Sequence, residues 1–185
     1  MKNSRAQLPI TPQAHKRAIL YSVSSVSLAA RVLGKADKAR EYLAQELEKQ
    51  GFSVEVYRLN PFKYLTPKGI NGKKVLADIP VLEFRKKYDV VFVIADVQSF
   101  STTNERNLHW SIPMGPEIPW YAAEKPTVSI SVANPFHLYD VPMVPVGLNT
   151  YNGSREAIRQ AVEKITGKSE FKGNSPVDAF CGMWD

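Results

Sequence analysis

The stretch Val90-Val91-Phe92-Val93-Ile94-Ala95 constrains this chain more than any other part of it. Six consecutive apolar residues, rich in β-branched types, read as a strand with no polar face. A strand buried on both sides belongs to a sheet covered on both sides, and such sheets are mostly parallel, with helices as crossovers. It is also the longest apolar run in the chain, far short of the roughly 18 residues that cross a membrane.

The rest of the pattern fits that requirement. Ala18 to Val23 predicts a second buried strand, and Ala36, Ala39, Leu43 and Leu47 fall on one face of a helix that Gly51 would stop. Phe52 to Leu59 alternates as a strand does, and Val81 to Lys87 suits a short helix. Thr127–Ala133 and Val144–Thr150 predict further strands. Ser154 then caps a helix with the stripe Ile158, Ala161, Val162 and Ile165, ended by Gly167. The order of these elements predicts an α/β fold: a single flavodoxin-like three-layer sandwich, its sheet mostly parallel, with helices on both faces. With 185 residues and no internal repeat, one domain over 18–185 is expected, preceded by a polar lead-in segment, 1–17.

Composition narrows the function classes. Cys181 is the only cysteine, so no disulfide can form within the chain. Met1 to Thr11 lacks the apolar core of a secretory signal, so the chain is expected to be cytoplasmic if complete. The net charge of +6 is uneven: residues 1–90 hold 17 Lys/Arg against 8 Asp/Glu, and residues 91–185 hold 7 against 10. The basic residues are dispersed among acids, and the densest groups, Lys73-Lys74 and Arg85-Lys86-Lys87, have no interleaved aromatic platform. Neither a nucleic acid nor a membrane is expected as partner.

Motifs for the common chemistries are lacking. His15, His109 and His137 are far apart and none sits at metal-ligand spacing, so no metal is expected. Cys181, beside Phe180, Met183 and Trp184, reads as a packed thiol. No glycine-rich phosphate loop exists, although Ser22, Ser24, Ser25 and Ser27 follow the first core strand, where a flavin phosphate could bind. Asp96, Glu105, Glu117 and Glu124 lie in or beside the long connection after Val97, but solvated loop acids are common and no pair is singled out. No cofactor is expected.

What stands out is the connection itself. Gln98 to Lys125 is too long and too aromatic for an idle loop. It carries Asn104, Arg106, Asn107, Trp110, Trp120 and Tyr121, while Asn134, His137, Asn149 and Tyr151 follow the next strands. Aromatic faces with planar polar groups suit sugar rings, and they suit a domain interface equally.

An ordered series of strings runs through the second half: Pro113-Met114-Gly115-Pro116, Ile118-Pro119-Trp120-Tyr121, Pro126-Thr127-Val128-Ser129-Ile130-Ser131 and Asn134-Pro135-Phe136-His137-Leu138-Tyr139-Asp140-Val141-Pro142. It closes with Gly167-Lys168-Ser169-Glu170-Phe171-Lys172-Gly173, Ser175-Pro176-Val177-Asp178 and Phe180-Cys181-Gly182. With these, the chain resembles the C-terminal α/β-sandwich domain of family-3 glycoside hydrolases, in the β-N-acetylhexosaminidase branch, over about Leu8 to Trp184. The resemblance implies a flavodoxin-like sandwich that works beside a catalytic barrel holding an aspartate nucleophile and a histidine-containing acid/base loop. That loop is absent here: His15 precedes Lys16, and no Phe-Pro-Gly follows. Other branches place an acid/base carboxylate in the sandwich domain, but no motif carries that role onto Glu105 or Glu117.

The expectation is therefore a domain that supports or lines the sugar site of a barrel absent from this chain, with no catalytic residue of its own and no activity alone. Arg106, Asn107, Trp110, Asn134 and His137 are the candidate substrate-binding residues, and the expected partners are the barrel and a carbohydrate. Two alternatives stay open. One is a stand-alone module for a sugar or flavin phosphate at the Ser22–Ser27 turn, and the other a pure interaction domain that docks through its uneven charge.

Overall fold

Among the described residues, hydrogen bonding joins six strands into one sheet in the order β1-β6-β5-β4-β2-β3. They are β1 (Lys2–Asn3), β2 (Arg17–Ser24), β3 (Ser53–Val56), β4 (Val90–Asp96), β5 (Thr127–Ser131) and β6 (Val146–Asn149). The computed structural model describes residues 2–24, 38–57, 79–97, 108 and 118–178. All neighbours pair in parallel except β1, which runs antiparallel to β6 with Lys2 opposite Gly147. Setting β1 aside, the five parallel strands follow the 2-1-3-4-5 order of the flavodoxin-like sandwich.

Strand alternation divides the core into two layers. Ala18, Leu20, Val90, Phe92, Ile94, Val128, Ile130, Val146 and Leu148 face one side, under α1 (Lys38–Gln50) and α3 (Arg155–Ile165). Ile19, Tyr21, Val23, Val91, Val93 and Ala95 face the other, under α2 (Val81–Lys87) and two 3-10 turns, Trp120–Ala123 and Pro135–Asp140. Every residue of β4 from Val90 to Ala95 is buried, which is why that strand has no polar face.

The two long helices end in the same way. Gly51 (φ +102°) and Gly167 (φ +78°) take the left-handed conformation. The following amides reach back five residues, Phe52 to Leu47 O at 3.2 Å and Lys168 to Glu163 O at 2.8 Å, which occupies carbonyls the helix leaves open. Ser154 caps the start of α3, its hydroxyl accepting from the Ala157 amide. On α1 the buried face includes Glu46 beside Ala39, Leu43 and Leu47; its carboxylate accepts a charge-assisted bond from Lys49 Nζ at 2.6 Å.

The N-terminal segment is knitted to the body rather than trailing from it. Beyond the β1 pairing, the Ile10 amide bonds the Ile165 carbonyl at 2.8 Å, and the Ile10 side chain is fully buried against α1 and α3. β5 and β6 are shorter than the sequence pattern predicts, since the chain bends at Val132-Ala133 after β5 and again at Pro145 before β6 begins.

Three ion pairs hold the outer elements. Arg17 grips Asp89 through Nε and a terminal nitrogen and reaches the Lys86 carbonyl, tying β2 to the end of α2. Arg85 pairs with Glu124 (2.5 Å) and Lys87 with Glu55 (2.6 Å), so two cations of the basic run 85–87 are matched by acids.

Candidate functional site

In open parallel sheets, ligands bind beyond the carboxyl ends of the strands, where neighbouring strands send their connections in opposite directions. Here that point lies between β2 and β4, which end at Ser24 and Asp96. Residues 25–37 and 98–107, which leave it, lie outside the described residues. Ser25 and Ser27 of the proposed phosphate turn are among them, as are Arg106 and Asn107; Trp110 also lies outside the described residues. Ser22 is described, and its side chain is buried within β2.

Asn134 and His137 are placed, and the fold brings them together. The chain leaves β5 at Ser131, and Asn134 caps the 3-10 turn Pro135–Asp140, its Oδ1 accepting from the Phe136 amide at 3.0 Å. Its Nδ2 has two hydrogens and two acceptors in range: the Val97 carbonyl at 3.1 Å and His137 Nε2 at 2.9 Å. With Nε2 accepting, the imidazole carries its proton on Nδ1 and donates to Ser131 Oγ at 2.8 Å. The Ser131 hydroxyl in turn donates to the Asn134 carbonyl, which closes the circuit.

Only 1% of His137 is exposed, and both ring nitrogens are engaged. Burial pushes its pKa down to about 4, against a smaller opposing pull from the Val97 carbonyl. The ring is therefore neutral at pH 7. It reaches outward through Asn134, which grips the last described residue before the long connection.

A second hold on that connection comes from the same turn. The Leu108 amide donates to Asp140 Oδ2 at 2.8 Å, and the Leu108 side chain is buried in the layer beneath. Pro135–Asp140 with its cap thus fixes both Val97 and Leu108, the two described residues that bracket 98–107. Spacing could have suggested the Asn cap, but Asp140 bonds across 32 residues and nothing local announces it.

Trp120 and Tyr121, which sequence could assign either to a sugar or to an interface, are packed into the layer under α2. Tyr121 is fully buried and stacks on Tyr21, ring centroids 5.2 Å apart; Trp120 meets Phe84 at 5.0 Å. On the surface, Tyr139 and Met143 are each about half exposed. Among the described residues, no group of three or more His, Cys, Asp or Glu is arranged to hold a metal ion, and no helix is long and apolar enough to cross a membrane.

No family model matches the chain. A curated β-N-acetylglucosaminidase/β-glucosidase from Cellulomonas fimi is 31% identical over 187 residues, an alignment that takes in all of this chain and 31% of that protein. Among solved structures, the β-glucoside phosphorylase BglX superposes with a TM-score of 0.76 at 30% identity, over 100% of this chain and 30% of that one. A glycoside hydrolase family 3 β-N-acetylglucosaminidase from Paenibacillus sp. str. FPU-7 shares the fold at 14% identity, with a TM-score of 0.56 over 94% of this chain and 29% of that one. The chain spans about a third of the length of the relatives it matches.

Proposed function

We infer that this chain, a domain related to those of family-3 glycoside hydrolases, is the supporting sandwich of a sugar-processing enzyme and lines one side of a sugar site whose catalytic groups lie on a barrel outside this chain. The observation that carries the reading is the pairing of complete coverage here with about 31% coverage of the Cellulomonas fimi relative. A chain that matches so small a share of a glycosidase, from end to end, corresponds to one unit of it.

The carboxyl edge of the sheet suits that task. The Ser131–Asn134–His137 circuit and Asp140 act as a rigid base for the connection that carries Arg106, Asn107 and Trp110, our candidates for sugar contact. Asn134 and His137 take part as positioning residues, since their polar atoms are committed to one another and to Val97. Tyr139 and Met143, each about half exposed, offer apolar surface suited to contact with the barrel.

The test is hydrolysis and NMR titration on the isolated chain. p-Nitrophenyl N-acetylglucosaminide should not be turned over, because no positioned acid and nucleophile are assigned here. N-acetylglucosamine at high concentration should shift the Leu108 and Asp140 amides. Turnover that disappears with a substitution in this chain would overturn the reading, as would N-acetylglucosamine shifts confined to other parts of the fold.

A further inference from the structure

A cleft of about 300 Å³ opens beyond the end of β6, two strands away from β4. Its floor is the end of β6, one wall is α3, and the other is the extended segment Phe171–Ser175. The proposed sugar site makes no use of this cleft, and either could exist without the other.

Three features make it more than a surface fold. First, Tyr151 at its mouth has φ +57°, a left-handed conformation that is unfavourable for a non-glycine residue. The ring is held there by a hydrogen bond to Ser175 Oγ at 2.9 Å, and that hydroxyl donates onward to the Val177 carbonyl. Second, the lining carries the cations Lys164 and Lys172 and no carboxylate. Lys164 donates to the Glu170 carbonyl and lies over the Phe171 ring, which directs its charge along the wall. Third, Asn149 is half-buried on the floor, with an amide that can both donate and accept.

An aromatic face, an amide and paired cations without an opposing acid are the complement of a small hydroxylated anion. We propose that the cleft between β6, α3 and Phe171–Ser175 is a binding site for an anionic monosaccharide, a sugar phosphate or a sugar acid. The ring stacks on Tyr151, the hydroxyls meet Asn149, and the anionic group lies between Lys164 and Lys172.

Isothermal titration of the chain with glucose 6-phosphate, glucuronate, glucose and inorganic phosphate tests this. At least one of the two anionic sugars should bind saturably below about 10 mM, and both glucose and inorganic phosphate should bind about tenfold more weakly or worse. Which anionic sugar binds tells a phosphate group from a carboxylate. Lys172→Gln removes an exposed charge, and Asn149→Asp places an anion on the floor. Each should weaken binding about tenfold while the melting temperature without ligand stays within about 3 °C. The proposal is overturned if neither anionic sugar saturates, if phosphate alone or glucose alone binds as tightly, or if both variants bind like the parent.

Discussion

His137 shows how a single side chain can be read in two ways until its neighbours are known. A lone histidine after a strand suggests a ligand contact, yet its two ring nitrogens close a circuit with Ser131 and Asn134. The circuit works only with a neutral ring, because Nε2 must accept. Its pKa of about 4 lies below the usual 6.5, so the unfolded chain takes up a proton before the folded one does. Stability should therefore fall as pH drops from about 6.5 to about 4, by on the order of 3 kcal/mol. Asp89 acts in a lower window. The Arg17 side chain holds its carboxyl near 2 instead of 3.8, so its contribution persists at neutral pH and fades only as pH falls from about 4 toward 2. Chemical denaturation across pH 2–8 separates the two: His137→Gln should flatten the upper slope, and Asp89→Asn the lower. An upper slope unchanged in the His137 variant would show that the imidazole is not a buried neutral group.

At the scale of elements, helix ends were the most legible features, and for a physical reason. Caps are local: Ser154 serves an amide three residues on, and Gly51 and Gly167 close the last turn of the helix just before them. Ser154→Ala should cost about 1 kcal/mol in urea unfolding with an unchanged m value. A loss within error of zero would mean that Asn152, whose Oδ1 accepts from the Ser154 amide, already fixes this turn. β1 was illegible for the opposite reason. Two residues carry no alternation, and Lys2 and Asn3 form a strand only because the edge of β6 is there to receive them. Glu46 belongs with β1. Its helical position faces inward, but its buried carboxylate is acceptable only with Lys49 beside it.

On the scale of the whole molecule, both faces of one sheet are covered, and the N-terminal segment packs into the layer shared by α1 and α3. One sheet is shared by both core layers of the described residues, so the isolated chain should unfold in a single cooperative transition. Coincident curves by circular dichroism and tyrosine–tryptophan fluorescence would agree, and two separated transitions would not. The same architecture gathers the candidate groups at one end. Asn134 and His137 pair beyond the end of β5, and Asp140 of the same turn holds Leu108, because the connection that leaves a parallel strand packs against its neighbours.

By itself the sequence determined the mostly parallel class of sheet and the helix stops, because apolar periodicity and capping are written in residues a few positions apart. The strings from Pro113 onward also carried the resemblance to family-3 glycoside hydrolases. Only the tertiary structure decided that Trp120 and Tyr121 belong to the core, that His137 faces inward, and that Tyr151 and Lys164 share a cleft. Those outcomes depend on which surfaces meet across the sheet, as in the 32 residues between Leu108 and Asp140, and no local pattern encodes such meetings.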